Sequence, residues 1–187
     1  MIMSGKLRVV LDTTVFCGAL VNHDGGNMQC LLLANGPFFG PVIAQTVLAE
    51  FVHVSTVRGV GSGRSRRIYT YDDIQRFLES LAPLLERAVP VGLRDILPHI
   101  MRWPYLPLSQ VLQNVAAAWP IGKAATFNPS VSVSTIDFKD AHVMLAAVEH
   151  RADLIVTSNI KDFQFPGSLW QVETPLKFLQ RWIIDTN

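Results

Sequence analysis

The sequence predicts an α/β domain built on a mostly parallel sheet with helices on both faces. Three observations carry that expectation. Short, β-branched apolar runs recur along the chain, and segments with apolar residues at helical spacing lie between them. Two of the runs also end on polar residues, as strands do when a parallel sheet presents a site at its rim.

Leu7-Arg8-Val9-Val10-Leu11 ends at Asp12 and has the pattern of a buried parallel strand. Residues 28–34 read as a helix, stopped by Asn35-Gly36-Pro37. Pro41-Val42-Ile43-Ala44 is a second strand. Residues 45–57 follow as a helix, with Val47, Leu48, Phe51 and Val52 at helical spacing. Residues 58–67 are rich in Gly, Ser and Arg and are expected to be a mobile loop. From Tyr71 an amphipathic helix places Ile74, Phe77, Leu78, Leu81 and Leu85 on one face, and 89–91 is a candidate strand.

Residues 92–133 interleave Pro98, Pro104, Pro107, Pro120 and Pro129 with Trp103, Tyr105, Trp119 and Phe127. They show no sustained period beyond a helix expected near 109–118. This stretch reads as an insert within a single domain spanning 1–187, either filling its own small core or presenting a partner-binding surface. Residues 140–150 then form a helix with Ala141, Met144, Leu145 and Val148 on one face. Residues 152–157 are a strand, 169–172 a last strand, and 175–184 a closing helix with proline in its first turn.

Composition narrows the function classes. With 49% hydrophobic and 17% charged residues, 187 residues suffice for one domain with a sizeable core. The net charge of +1 selects no class of partner. Arg58, Arg64, Arg66 and Arg67 either track RNA phosphates or form a solvated loop. Cys17 and Cys30 are too few for a disulfide framework and lack zinc spacing. No apolar run approaches the ~20 residues that span a bilayer, and no signal-peptide pattern opens the chain, so a cytoplasmic protein is expected. No Gly-x-Ser-x-Gly elbow and no phosphate-cradling glycine loop is present. A haloacid-dehalogenase-like phosphatase needs a second Asp two residues after Asp12, and that position is Thr14.

Sites in open parallel sheets form at the carboxyl ends of strands, near the point where strand order reverses. Asp12-Thr13-Thr14 and Thr157-Ser158-Asn159 occupy such ends, Glu50 lies on the helix after the second strand, and Asp140 opens a later helix. Carboxylates are hard oxygen donors that suit Mg²⁺ or Mn²⁺ rather than zinc. Gathered together they repel one another unless a cation neutralises them. Each also has a structural reading: Asp12 as a helix cap, Glu50 as an ordinary polar helix residue, and Asp137 as a cap with Asp140 in the first turn. Asn159 and Asp162 suit a turn, and His142 reads as a structural helix-face histidine.

The segments Val10-Leu11-Asp12-Thr13-Thr14-Val15, Val47-Leu48-Ala49-Glu50-Phe51, Asp137-Phe138-Lys139-Asp140-Ala141-His142 and Leu154-Ile155-Val156-Thr157-Ser158-Asn159-Ile160-Lys161-Asp162-Phe163 resemble the successive motifs of PIN domains. Their order is similar to that of the PIN ribonucleases acting as toxins in bacterial toxin–antitoxin pairs, the VapC-like group. The resemblance covers residues 7–57 and 137–175, and 92–133 has no counterpart.

It implies a three-layer α/β/α fold and a Mg²⁺- or Mn²⁺-dependent endoribonuclease with Asp12, Glu50 and Asp140 on the metal. The fourth acidic position falls on Asn159, with Asp162 either supplying the missing charge or shaping the turn. Thr14 keeps a hydroxyl to orient Asp12 or water, and Thr157 stands behind the site. An RNA substrate, a small antitoxin partner and a homodimer are also implied. The alternative is a catalytically weak PIN-fold module that binds RNA or a partner. A third reading keeps the nuclease with DNA as its substrate.

Overall fold

The computed structural model describes residues 7–87, 89–91, 140–164 and 170–184. Its strands are β1 (Arg8–Leu11), β2 (Gly40–Ala44), β3 (Val89–Val91), β4 (Leu154–Val156) and β5 (Gln171–Glu173). They form one sheet in the order β3-β2-β1-β4-β5, with all neighbours parallel. The chain steps outward from β1 through β2 to β3, then returns beside β1 with β4. Strand order therefore reverses between β1 and β4, where parallel sheets open a crevice.

Successive residues Val9, Val10 and Leu11, then Val42, Ile43 and Ala44, then Leu154, Ile155 and Val156, are all buried. Adjacent strand residues point to opposite faces, so burial of both parities means that helices cover both sides of the sheet. The architecture is the expected three-layer α/β/α.

The helices are α1 (Thr13–Val21), α2 (Gly26–Ala34), α3 (Gln45–His53), α4 (Tyr71–Ser80), α5 (Ala82–Arg87), α6 (Ala141–Glu149), α7 (Ile160–Phe163) and α8 (Pro175–Ile184). Phe51 joins three of them: its ring lies 5.9 Å from Phe16 of α1 and 5.5 Å from Phe77 of α4. No described helix is long and apolar enough to cross a membrane.

Two expectations are corrected. The amphipathic helix from Tyr71 breaks at Leu81, because Pro83 has no N–H for the carbonyl of Glu79 and its ring crowds that carbonyl. Leu81 and Leu84 stay buried across the break. Residues 58–67 are not a loose loop but a hairpin. Val60 and Arg67 exchange two backbone hydrogen bonds of 2.8 Å, and Val60 is buried. The glycines that suggested mobility supply turn geometry instead. Gly59 has φ 80° and closes a π turn (Val54–Arg58) by donating to the Val54 carbonyl, and Gly61 has φ 109°. The 92–133 insert, its expected helix at 109–118, and Leu169 and Asp137 lie outside the described residues.

Candidate functional site

Asp12 stands where β1 hands over to α1. Its backbone N–H donates to Val156 O at 3.1 Å, extending the β1–β4 pairing to the carboxylate itself. This sets Asp12 beside Thr157 at the strand-order reversal. Asp12 is the N-cap of α1, with Oδ2 accepting from Thr14 N at 3.3 Å. The same oxygen accepts from Thr14 Oγ1 at 2.7 Å and Thr157 Oγ1 at 2.8 Å. Structural cap and rim carboxylate are thus one residue, only 4% exposed.

The threonines are aimed by the backbone after β4. Ser158 N donates to Thr14 Oγ1 and Asn159 N to Thr157 Oγ1, each at 2.9 Å. With their lone pairs so engaged, both hydroxyl protons point at Asp12. Each hydroxyl has a single proton, so the 3.2 Å approach between the two oxygens is a contact rather than a further bond.

Glu50 comes from α3. Thr13 Oγ1 donates to Glu50 Oε2 at 2.6 Å, and His142 Nε2 lies 3.6 Å from the same oxygen. His142 is buried on α6, two residues beyond Asp140. Glu50 therefore sits where α1, α3 and α6 meet. Cys17 lies one helical turn beyond Thr13 on α1, and its thiol is pushed up to about 12. Burial is the main cause and the carboxylates of Glu50 and Asp12 add to it, against a lowering hydrogen bond with Ser55. The carboxylates of Asp12 and Glu50 both meet the N-terminal turn of α1, Asp12 as its cap and Glu50 through the Thr13 hydroxyl, and this turn forms the carboxylate site.

The remaining expected residues are Asp140, Asn159 and Asp162. Asp140 immediately precedes α6, and its carbonyl accepts from Val143 N at 3.0 Å. Asn159 caps α7 and its amide donates to the Asp162 carboxylate, so these two act as a pair. Among the described residues, no three His, Cys, Asp or Glu side chains are gathered closely enough to hold a metal. The donor chemistry does suit a hard cation. The three hydrogen bonds to Asp12 all fall on Oδ2, and among the described residues neither Asp12 nor Glu50 forms an ion pair with Lys or Arg.

Thr13, Cys17 and His142 were not expected at the site. Thr13 sits within the quoted motif, yet only the contact across to α3 distinguishes it from Thr14. His142 carries no sequence signal of its contact with Glu50. Arg58 at the end of the π turn and Arg64, Arg66 and Arg67 on the hairpin are all exposed. An apolar groove of about 680 Å³, lined by Val52, Ile74, Leu78 and Leu85 among others, includes none of the expected site residues.

The chain matches the family model described as "PIN domain" over residues 8–161. It is similar to a chain of VapBC2 from Rickettsia felis bound to a DNA fragment from their promoter: 18% identity, TM-score 0.47, covering 90% of this chain and 98% of that one. It is also similar to a chain of VapBC-1 from nontypeable Haemophilus influenzae: 14% identity, TM-score 0.44, covering 91% and 99% respectively. No curated protein matches it.

Proposed function

We infer that this chain, which belongs to the PIN-domain family, is a metal-dependent endoribonuclease in which Asp12, Glu50 and Asp140 hold Mg²⁺ or Mn²⁺. PIN domains are generally nucleases. The observation that carries the reading here is the buried Asp12 carboxylate, which is bonded only by neutral donors at the helix N-terminus that Glu50 meets through Thr13. Carboxylates gathered in such surroundings repel each other, and a cation held by them would neutralise that repulsion. A divalent cation there supplies charge against the scissile phosphate and lowers the pKa of water.

The chain's own residues do the positioning. Thr14 and Thr157 hold Oδ2 of Asp12, and Thr13 holds Oε2 of Glu50, with His142 Nε2 3.6 Å from the same oxygen. The Asn159–Asp162 pair borders the site, with the Asp162 carboxylate standing in for the acid that position 159 lacks. A toxin role, neutralised by a small antitoxin, and a homodimer extend the motif resemblance over 7–57 and 137–175.

Purified protein with Mn²⁺ is expected to cut RNA, and Asp12→Asn to lose at least about 100-fold in rate, as removal of a ligand or its support does. Equal cutting by Asp12→Asn sinks the assignment. The second reading, a catalytically weak module that binds RNA or a partner, is favoured by Asn159 and by the carboxylates standing apart. Calorimetric titration with Mn²⁺ separates the two: no binding favours the weak module. Growth arrest on expression, relieved by the product of an adjacent small gene, tests the toxin role.

A further inference from the structure

We propose that the 58–71 segment is a preformed docking ridge for single-stranded nucleic acid, through which the strand is presented to the carboxylate pocket. The link to cleavage rests on the nuclease reading above, whereas the binding itself does not.

Charge is the first ground. The whole chain carries a net +1, yet from Phe51 to Tyr71 it has four arginines and no acidic residue. All four are exposed, and among the described residues none of them is in an ion pair. Glu50 precedes the segment and Asp72 and Asp73 follow it; Asp73 is held below its usual range mainly by the Thr70 hydroxyl and backbone, with Arg76 and Arg67 adding to the effect. Its ion pair is with Arg76.

Shape is the second. The hairpin is fixed by the two-way Val60–Arg67 bonds and by Ser65, whose N–H and hydroxyl both bond the Ser62 carbonyl. Gly61 permits the tight crossing, since a Cβ there would stand 2.7 Å from Ser65 O. Cations on a rigid scaffold lose less freedom on binding than cations on a loose loop.

The third ground chooses between single strand and duplex. Arg67 lies 5.0 Å over the Tyr69 ring, and exposed Val57, Ile68 and Tyr71 flank the hairpin. Cations mixed with aromatic and apolar faces suit unpaired bases, which can stack, whereas a duplex hides its base faces. An acidic protein surface would use the arginines but not these faces.

Position is the last. Arg58 lies eight residues past Glu50 on one continuous helical run of α3 and the π turn. At 1.5 Å per residue that is a reach of about 12 Å. The ridge thus continues directly from the helix that carries Glu50.

The test is fluorescence anisotropy with a labelled oligoribonucleotide of about 12 nucleotides in EDTA, so that no cleavage occurs, across 50 to 200 mM NaCl. The variant Arg64→Gln/Arg66→Gln/Arg67→Gln should bind at least about tenfold more weakly at 50 mM. Its log–log salt slope should be shallower by about 2, three contacts at roughly 0.7 each. Gly61→Ala, which keeps every charge, should also weaken binding several-fold once its fold is verified by circular dichroism. Unchanged affinity and slope in the triple variant overturn the ridge. Equal affinity for a duplex of the same length, or for poly-glutamate, overturns the single-strand assignment. The nuclease reading is tested apart from this by cleavage with Mn²⁺: if Asp12→Asn cuts like wild type, that reading falls while the ridge stands.

Discussion

The carboxylate pocket and the arginine hairpin hold their charges by opposite means. In the pocket, Asp12 and Glu50 are bonded by hydroxyls from other elements: Thr157 after β4 and Thr13 on α1. In the hairpin, backbone bonds and the Ser65 hydroxyl fix the frame, and the arginines are exposed, Arg67 lying over the Tyr69 ring. The difference follows from dielectric. A carboxylate taken out of water needs a donor for its lone pairs, while a solvated guanidinium needs only a scaffold. The pocket should therefore fail when a hydroxyl is deleted, and the hairpin when a backbone angle is forbidden.

The largest change expected is one that breaks both regions together. Phe51 neighbours Glu50 on α3, is fully buried between Phe16 and Phe77, and belongs to the helix that runs into the hairpin. Phe51→Ala should cost about 3–5 kcal/mol in urea unfolding and weaken both cleavage and oligonucleotide binding. A loss confined to one function would show that the two regions do not share this support.

Thr157→Val separates them. It keeps the shape but removes the donor to Asp12 and the acceptor for Asn159 N, at about 1–3 kcal/mol. Metal-dependent cleavage should fall roughly 10–100-fold, as for lost supporting residues, while the salt slope of RNA binding stays put. Gly61→Ala is the reciprocal case. Forcing a side chain into its positive φ should cost about 1–2 kcal/mol, with Mn²⁺ affinity unaltered. A fall in Mn²⁺ affinity there would join the two regions that the comparison sets apart.

The smallest effect is a pH dependence that belongs to the pocket side of the molecule. Burial, with the carboxylates helping at Cys17, pushes the thiols of Cys17 and Cys30 up to about 12 from 9.0. Unfolded thiols ionise first, so stability is intact below about pH 9 and declines as pH rises towards 12. Urea midpoints measured from pH 8 to 11 should drop, and Cys17→Ala/Cys30→Ala should flatten the decline.

Much of the fold could be read from local pattern. The runs ending at Leu11, Ala44 and Val156 are strands, and α8 spans the expected 175–184, because burial on both faces of a sheet or on one face of a helix leaves a period in the sequence. The misread segments are those where one residue overrides the period. Pro83 cuts a helix whose apolar face runs on unbroken, and Gly59 and Gly61 make a defined hairpin from a composition that suggests looseness.

The sequence by itself determined that a carboxylate ends β1 and that polar residues end β4, since each fact lies within a few residues of a strand. Only the tertiary structure decided which hydroxyl serves which acid. Thr13 reaches Glu50 across 37 positions, Thr157 reaches Asp12 across 145, and His142 approaches Glu50 from a separate helix. Such contacts arise from the strand order β2-β1-β4 and from helix packing, which bring together residues that no local pattern relates.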